Sequence, residues 1–283
     1  MYNNINLRKR EKTMNQIKYN LFPNGLQHCL TMSFDDGRVD DIHLIEIFNR
    51  HNIKGTFHLN SGFLDRDLYV KKEQVKDLYK GHEVSCHTYS HPHLTQLPTI
   101  EVIEEVLKDK NTLEELVGYP IRGLSSPFGD YNSSLLEVLK TCGMEYHRTV
   151  SRTYKFNKPN DFMEWHPTHH IRTFEKELFD NFLSNPFNEM KILYLWGHSY
   201  EFSDNNTWDE IEKVCAYLGN RNNIWYATNI ELKDYLTALE KLVISVSKNM
   251  FYNPSAIDVW ISVNNKAVCI PSNQTMKIEK TSE

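Results

Sequence analysis

The sequence predicts an α/β fold: a largely parallel sheet curled into an irregular barrel of seven or eight β/α units, with a small β-rich segment after it. Three observations support this. From residue 28 to about 241, short apolar runs alternate with longer amphipathic stretches, the pattern of parallel strands joined by crossover helices. The number of such units suits a closed or nearly closed barrel. The glycine-rich first turn of the usual open doubly wound sheet is missing.

The elements follow in order. "HCLTMSF" (28–34) is the first strand, and "RVDDIHLIEIFNRHN" spaces its apolar residues as a helix does. "IKGTFHLN" returns to strand character, and "KKEQVKDLYKG" is a helix stopped at Gly81. "HEVSC" is the third strand. "TIEVIEEVLKDKNTLEELVG" is a long helix introduced by Pro98 and Thr99 and closed by glycine. "IRGLSSPF" and "MEYHRTV" are strands around the helix "NSSLLEVLKTCG", and "FMEWHPTHH" is a candidate sixth strand. "KELFDNFLSN" is a helix, "KILYLWGH" the clearest late strand, and "TWDEIEKVCAYLGN" with "IWYAT" a further helix–strand pair. "NIELKDYLTALEKL" closes the region. Beyond it, short β-branched runs separated by "YNPS", "VNNK" and "PSNQ" read as β-structure with turns. The expected organisation is an extension over 1–27, a barrel over 28–241 and a β-rich appendage over 242–283.

Composition narrows the function. A net charge of −5 offers no basic field for a nucleic-acid backbone, and the N-terminal "RKREK" reads as a solvated tail. No apolar run reaches membrane-spanning length, and no apolar stretch of secretory type follows the N-terminal charges. The expected setting is cytoplasmic, with Met14 a candidate start. The five cysteines are scattered without a CxxC pair, so reduced thiols are expected. Cys86 adjoins His87 on a strand, and neighbouring strand residues point to opposite faces, so Cys86 is expected against the helical layer.

The chemistry gathers at strand ends, where β/α barrels carry their reactive groups. The first strand ends in "SFDDG". Asp35 and Asp36 repel each other unless a cation or proton is shared; the plainer reading is a helix-capping pair. "HTYSH" follows the third strand, and its step of four can bring His87 and His91 to one side of a turn. With Asp36 they would make a two-histidine, one-carboxylate set for zinc or another divalent ion, with positions left for water and substrate. His82 and His93, in the same run, read as solvated or structural. Arg122 opens "RGLSSPFG" and could hold a carboxylate by two parallel bonds, although a lone arginine is more often a surface charge. His198 sits at the end of "LYLWGH", beside Trp196, with an intrinsic pKa suited to protonating a leaving group. No G-x-S-x-G elbow supports a serine nucleophile.

These motifs, in this order, resemble the polysaccharide deacetylase family, the carbohydrate esterases of NodB-homology type. "SFDDG" and "HTYSH" resemble its first two motifs, "RGLSSPFG" a divergent third, "DFMEW" a loose fourth and "LYLWGH" the fifth. The resemblance implies that Asp36, His87 and His91 bind one divalent metal, most readily zinc, with cobalt or nickel as alternatives. It implies Asp35 as general base with Arg122 as its partner, and His198 as general acid tuned by Asp161. Leu195 would line the acetyl pocket beside Trp196, Trp165 would form a wall, and the Phe128 backbone N–H would face the oxyanion. The spacing around Asp161 departs from the family pattern, which leaves Glu201 as an alternative orienter of His198. "EWHPTHHI" adds His166, His169 and His170, any one of which could reach the cleft. The implied reaction is metal-dependent hydrolysis of an N-acetyl amide on a sugar or glycan. An O-acetyl esterase or non-sugar amide hydrolase on the same scaffold, and an inactive carbohydrate-binding protein, are the alternatives.

Overall fold

The computed structural model describes residues 15–279. The "RKREK" run, Met14 and Lys280 lie outside them. The chain forms two compact units, one spanning Gln27–Asp234 and one made of the flanking segments up to Leu26 and from Tyr235. The elements begin with β1 (Ile17–Lys18), β2 (His28–Asp36), α1 (Asp41–Arg50), β3 (Thr56–Leu59), α2 (Lys72–Leu78), β4 (Glu83–Cys86) and α3 (Thr99–Val117). They continue with β5 (Gly123–Ser125), α4 (Ser133–Thr141), β6 (Tyr146–Arg148), β7 (His169–His170), α5 (Lys176–Leu183), β8 (Lys191–His198) and α6 (Tyr200–Asp204). The last are α7 (Trp208–Leu218), β9 (Ile224–Tyr226), α8 (Asn229–Glu240), β10 (Val243–Ile244), β11 (Met250–Asn253), β12 (Val259–Val263), β13 (Lys266–Ile270) and β14 (Gln274–Lys277).

The larger unit holds a parallel sheet in the order β6-β5-β4-β3-β2-β8-β7, with β9 also paired to β2. On β2, His28–Leu30 pair with β9 and Ser33–Asp36 with β3, while β8 accompanies it from His28 to Asp35. "FMEWHPTHH" is not one strand. It is a short 3-10 turn (Phe162–Glu164), a bridge from Trp165 to Arg148 on β6, and the two residues of β7 against Leu195 and Trp196 of β8. One irregular segment therefore pairs with both β6 and β8, and Pro167, which has no backbone donor, interrupts it between the two pairings.

Strand alternation explains the packing. On β2, Leu30, Met32 and Phe34 join the apolar cluster, and Phe34 packs on Phe48 of α1 and Phe202 of α6. The other face is polar: Thr31 donates to Asn229, Ser33 contacts the Tyr194 hydroxyl at 3.1 Å, and Asp35 meets Arg148. Phe57, Leu59, Val84 and Cys86 belong to the apolar layer, whereas Thr56 and Glu83 hydrogen-bond to each other at 2.9 Å. The sheet thus puts its apolar face towards helices and its polar face towards the interior of the curl, and Cys86 lies in the helical layer. On α3, Val102, Val106, Asp109 and Leu113 form the buried stripe, and Gly118 ends the helix in the left-handed conformation with φ 82°.

The smaller unit contains two antiparallel three-stranded sheets, β1-β12-β13 and β10-β11-β14. A strand from the N-terminal segment pairs there with a C-terminal one, Ile17 opposite Val263. Among the described residues no helix is long and apolar enough to cross a membrane.

Candidate active site

Asp35 and Asp36 end β2. Asp35 keeps the inward parity of Thr31 and Ser33 and is buried. Asp36 would face the opposite way, but its backbone turns to φ 83°, and its carboxylate meets two imidazoles. His87 Nε2 lies 3.5 Å and His91 Nε2 3.6 Å from Asp36 Oδ1. Thr88, His91 and Phe128 also have positive φ. Such conformations cost energy in residues with a Cβ and persist where the surroundings hold them.

The surroundings do hold them. Asp109, from the buried stripe of α3, accepts the backbone N–H groups of Ser61 and His87 at 2.8 and 3.0 Å. Asn60 donates to the carbonyls of His87 and Thr88. Ser90 donates its N–H and hydroxyl to Glu105 at 2.8 and 2.7 Å. The His87 Nδ1 lies 2.7 Å from the Ser125 carbonyl, which fixes the tautomer that leaves Nε2 free to ligate. One carboxylate and two imidazoles, about 3.5 Å apart across the measured pairs and with one ring backed by a carbonyl, fit a divalent cation such as zinc.

Asp35 stands beside this set. Ser125 Oγ donates to it at 3.2 Å, and Arg148 donates to its other oxygen. Burial opposes its ionisation, but the Arg148 guanidinium outweighs burial and holds its pKa far below the usual range. Burial pushes the His87 pKa down to about 3, against the pull of Asp35. His58, inward on β3, is likewise neutral, with a pKa near 3 caused chiefly by burial.

Arg148 corrects the sequence reading. Arg122 precedes β5, at the end of the strand away from this site. It donates to Asp234 at 2.9 and 2.6 Å and to Glu145, and it does not hold Asp35. The partner comes from the C-terminal end of the next strand, where Arg148 pairs in register with Ser125 and lies 4.3 Å from the Trp196 ring centroid. The signal was present in "MEYHRTV": an arginine at a strand end, two residues after Tyr146 and so on the same face.

His198 is the Cα partner of Asp35 across the β2–β8 ladder. Burial would lower its pKa, but contacts with Glu201, Asp35 and Asp36 raise it. Its Nδ1 lies 3.6 Å from Glu201, not beside Asp161. Asp161 instead accepts the Met163 N–H at 2.8 Å and caps the short 3-10 turn. Burial resists ionisation of Glu201 as well, yet His170 and His198 keep it well below the usual carboxylate range. Ser199 donates to buried Asp41 at 2.6 Å, which ties the end of β8 to α1.

The pocket residues also sort by parity. Leu195 is fully buried in the apolar cluster, on the face opposite His198, so it does not line an acetyl pocket; Trp196, two residues before His198, shares its face. Trp165 is buried and packed on Tyr146 and Tyr194, and the cavity it borders, with Thr153 and Asp161, includes none of Asp35, Asp36, His87, His91 and His198. Phe128 is exposed, stacked on His93 at 3.8 Å and edge-on to His91. His166 contacts Thr149 and His169 contacts Glu175, whereas His170 reaches the His198 cluster. His82 is structural, bonded to the Gly55 N–H.

Comparison with known proteins finds polysaccharide deacetylases. A family model described as polysaccharide deacetylase matches residues 23–147. The peptidoglycan-N-acetylglucosamine deacetylase PgdA of Listeria monocytogenes is 32% identical over 113 residues, covering 39% of this chain and 23% of that protein. Chitin deacetylase 1 of Cryptococcus neoformans is 28% identical over 138 residues, covering 48% of this chain and 28% of that protein. The chain thus spans about a quarter of the length of these relatives. A putative polysaccharide deacetylase from Mycobacterium smegmatis shares the fold at a TM-score of 0.61 and 15% identity, over 80% of this chain and 96% of that one.

Proposed function

Because a polysaccharide deacetylase model matches residues 23–147 of this chain, we propose that it hydrolyses the N-acetyl amide of a sugar or glycan, releasing acetate and a free amine. The observation that carries the reading is the convergence of Asp36, His87 and His91 beside the Asp35–Arg148 pair, with His198 opposite Asp35 on the adjacent strand.

Asp36, His87 and His91 would hold a divalent cation, which when bound polarises the amide carbonyl and lowers the pKa of water. Asp35 is the base that takes the proton of the attacking water. Arg148 keeps it ionised and the Ser125 hydroxyl fixes its position. His198 gives its proton to the departing nitrogen, with Glu201 supporting the charged imidazole. Water adds across the amide bond, so acetate and amine are the only products and no covalent enzyme intermediate forms. Trp196 presents the large ring that lies on the face of His198.

The experiment is release of acetate from N-acetylated sugars and glycans by chelated protein and by protein reloaded with zinc, cobalt or nickel. Turnover is expected only after reloading. Equal turnover by the chelated protein would remove the mechanism, and release only from O-acetyl esters would move the reading to the esterase alternative. Binding of the glycans without acetate release from any of them would leave the inactive carbohydrate-binding protein.

A further inference from the structure

We propose that His170, His198 and Glu201 form a second divalent-cation site, weaker than the first, whose occupation switches the enzyme off.

The three side chains come from one corner of the sheet. His170 of β7 pairs in register with Trp196 of β8, so it shares the face of Trp196 and His198, and Glu201 follows in the first turn of α6. His170 Nε2 lies 3.1 Å from Glu201 Oε2, and His198 Nδ1 lies 3.6 Å from Glu201 Oε1. These separations resemble the 3.5 and 3.6 Å at Asp36, His87 and His91. One ligand atom from each residue lies within 4.8 Å of the others.

The polar atoms are also unsatisfied. His170 is only 3% exposed, yet neither ring nitrogen has a hydrogen-bond partner. His198 Nδ1 and Glu201 Oε2 are buried without one as well. The close contacts therefore lack the alignment of hydrogen bonds. Buried polar atoms are normally paired, and three side chains that each bring an unpaired atom to one place call for a ligand that accepts lone pairs from several directions. Two imidazoles and one carboxylate suit zinc.

Access and affinity follow from the neighbours. A cavity of about 450 Å³ opens on Glu201, lined also by Arg172, Phe202 and Thr207. Arg172 donates to Glu201 Oε1 at 3.0 Å, which leaves Oε2 available. The guanidinium repels a cation, so this site binds less tightly than the first.

The inhibitory effect rests on the deacetylase reading; the binding does not. A cation on His198 Nδ1 displaces the proton there to solvent. The ring that remains is a neutral imidazole, whose other N–H is a far weaker acid than an imidazolium. It cannot protonate a departing amine near neutral pH.

Equilibrium dialysis of the unsubstituted protein against zinc, with metal counted per chain, tests the site directly. Two ions per chain are expected, one at low and one at higher free zinc. His170→Ala should retain the first and lose the second. A single ion per chain up to millimolar zinc, or a second ion that survives His170→Ala, overturns the site. Rates should fall at least tenfold as the second ion enters, measured against the rate at one equivalent; an unchanged rate overturns the inhibitory role. Two ions without acetate release at any loading would instead sink the deacetylase reading while keeping the site.

Discussion

Arg148 and Asp35 form an ion pair between two strands of one sheet, inside the barrel, with the guanidinium lying over the Trp196 ring. Both side chains are buried, so each charge depends on the other. Removing one partner of such a pair costs about 3–5 kcal/mol, because the remaining charge is left without compensation. Arg148→Met should therefore lower stability by that order and abolish measurable turnover. Arg148→Lys should fold better and still lose most of kcat, because an ammonium lacks the planar fork. Arg122→Met should cost about 0–1 kcal/mol, since its pairs are partly exposed, and leave kcat near that of the unsubstituted protein. Urea denaturation and acetate release separate the two arginines, and loss of kcat in the Arg122 variant alone would reverse the assignment.

The triad of Asp36, His87 and His91 predicts linkage between metal and stability. A cation bound only by the folded chain stabilises it by about 2.7 kcal/mol at a hundredfold excess over its Kd. Chelation should lower Tm and one equivalent of zinc should restore it. His91→Ala should show little response to one equivalent, because two ligands remain where three converged. An equal zinc-dependent rise in both proteins would mean that the ion binds elsewhere.

Much of this site was legible, and what was not has physical causes. The period-2 pattern of "HCLTMSFDD" separates Leu30, Met32 and Phe34 from Thr31, Ser33 and Asp35, and the structure places the two sets on opposite faces. The same rule applied to "LYLWGH" would have preferred Trp196 to Leu195, since His198 and its facing neighbours are two residues apart, not three. Arg122 was misplaced because a motif gives order along the chain, whereas Asp35 needs a group at the C-terminal end of a strand. Its strand is only three residues long, yet that is enough to separate the two ends. The turn of Asp36 to positive φ leaves no mark in composition, and neither does a segment from Trp165 to His170 that pairs with both β6 and β8.

Glu83 makes the fold pH-sensitive away from the metal ligands. Burial raises its pKa from 4.5 to about 7, despite hydrogen bonds from the Ile230 N–H, Tyr146 and Thr56. The folded chain therefore binds this proton more tightly than the unfolded chain. As pH rises from 4.5 towards 7, the unfolded state releases the proton first and stability falls; above 7 the cost is constant. The full cost is on the order of 3 kcal/mol. Glu83→Gln removes the charge and keeps the contacts, because the amide oxygen can accept from Thr56 and Ile230 while the amide nitrogen donates to Tyr146, whose hydroxyl turns to Ser85 at 3.0 Å. The variant should match the unsubstituted protein near pH 4.5 and exceed it at pH 8, read from denaturation midpoints across that range. A stability difference that does not change with pH would show that Glu83 is ionised throughout.

Glu201 and Asp161 make opposite predictions for the pH profile of turnover. The proposed acid, His198, must carry its proton, so activity falls as pH rises through its pKa. That pKa is raised against burial by contacts that include Glu201. In Glu201→Gln the carboxylate is gone, the pKa drops, and the basic limb of kcat should move to lower pH. At the high-pH end the loss should reach roughly 100-fold, within the range that a general acid contributes. Asp161→Asn should leave the limb in place, because its carboxylate caps the 3-10 turn through the Met163 N–H, away from Glu201 and His198, and asparagine caps nearly as well. Profiles measured at one equivalent of zinc keep the second cation site empty. A shifted limb in Asp161→Asn with none in Glu201→Gln would restore Asp161 as the group that tunes the acid.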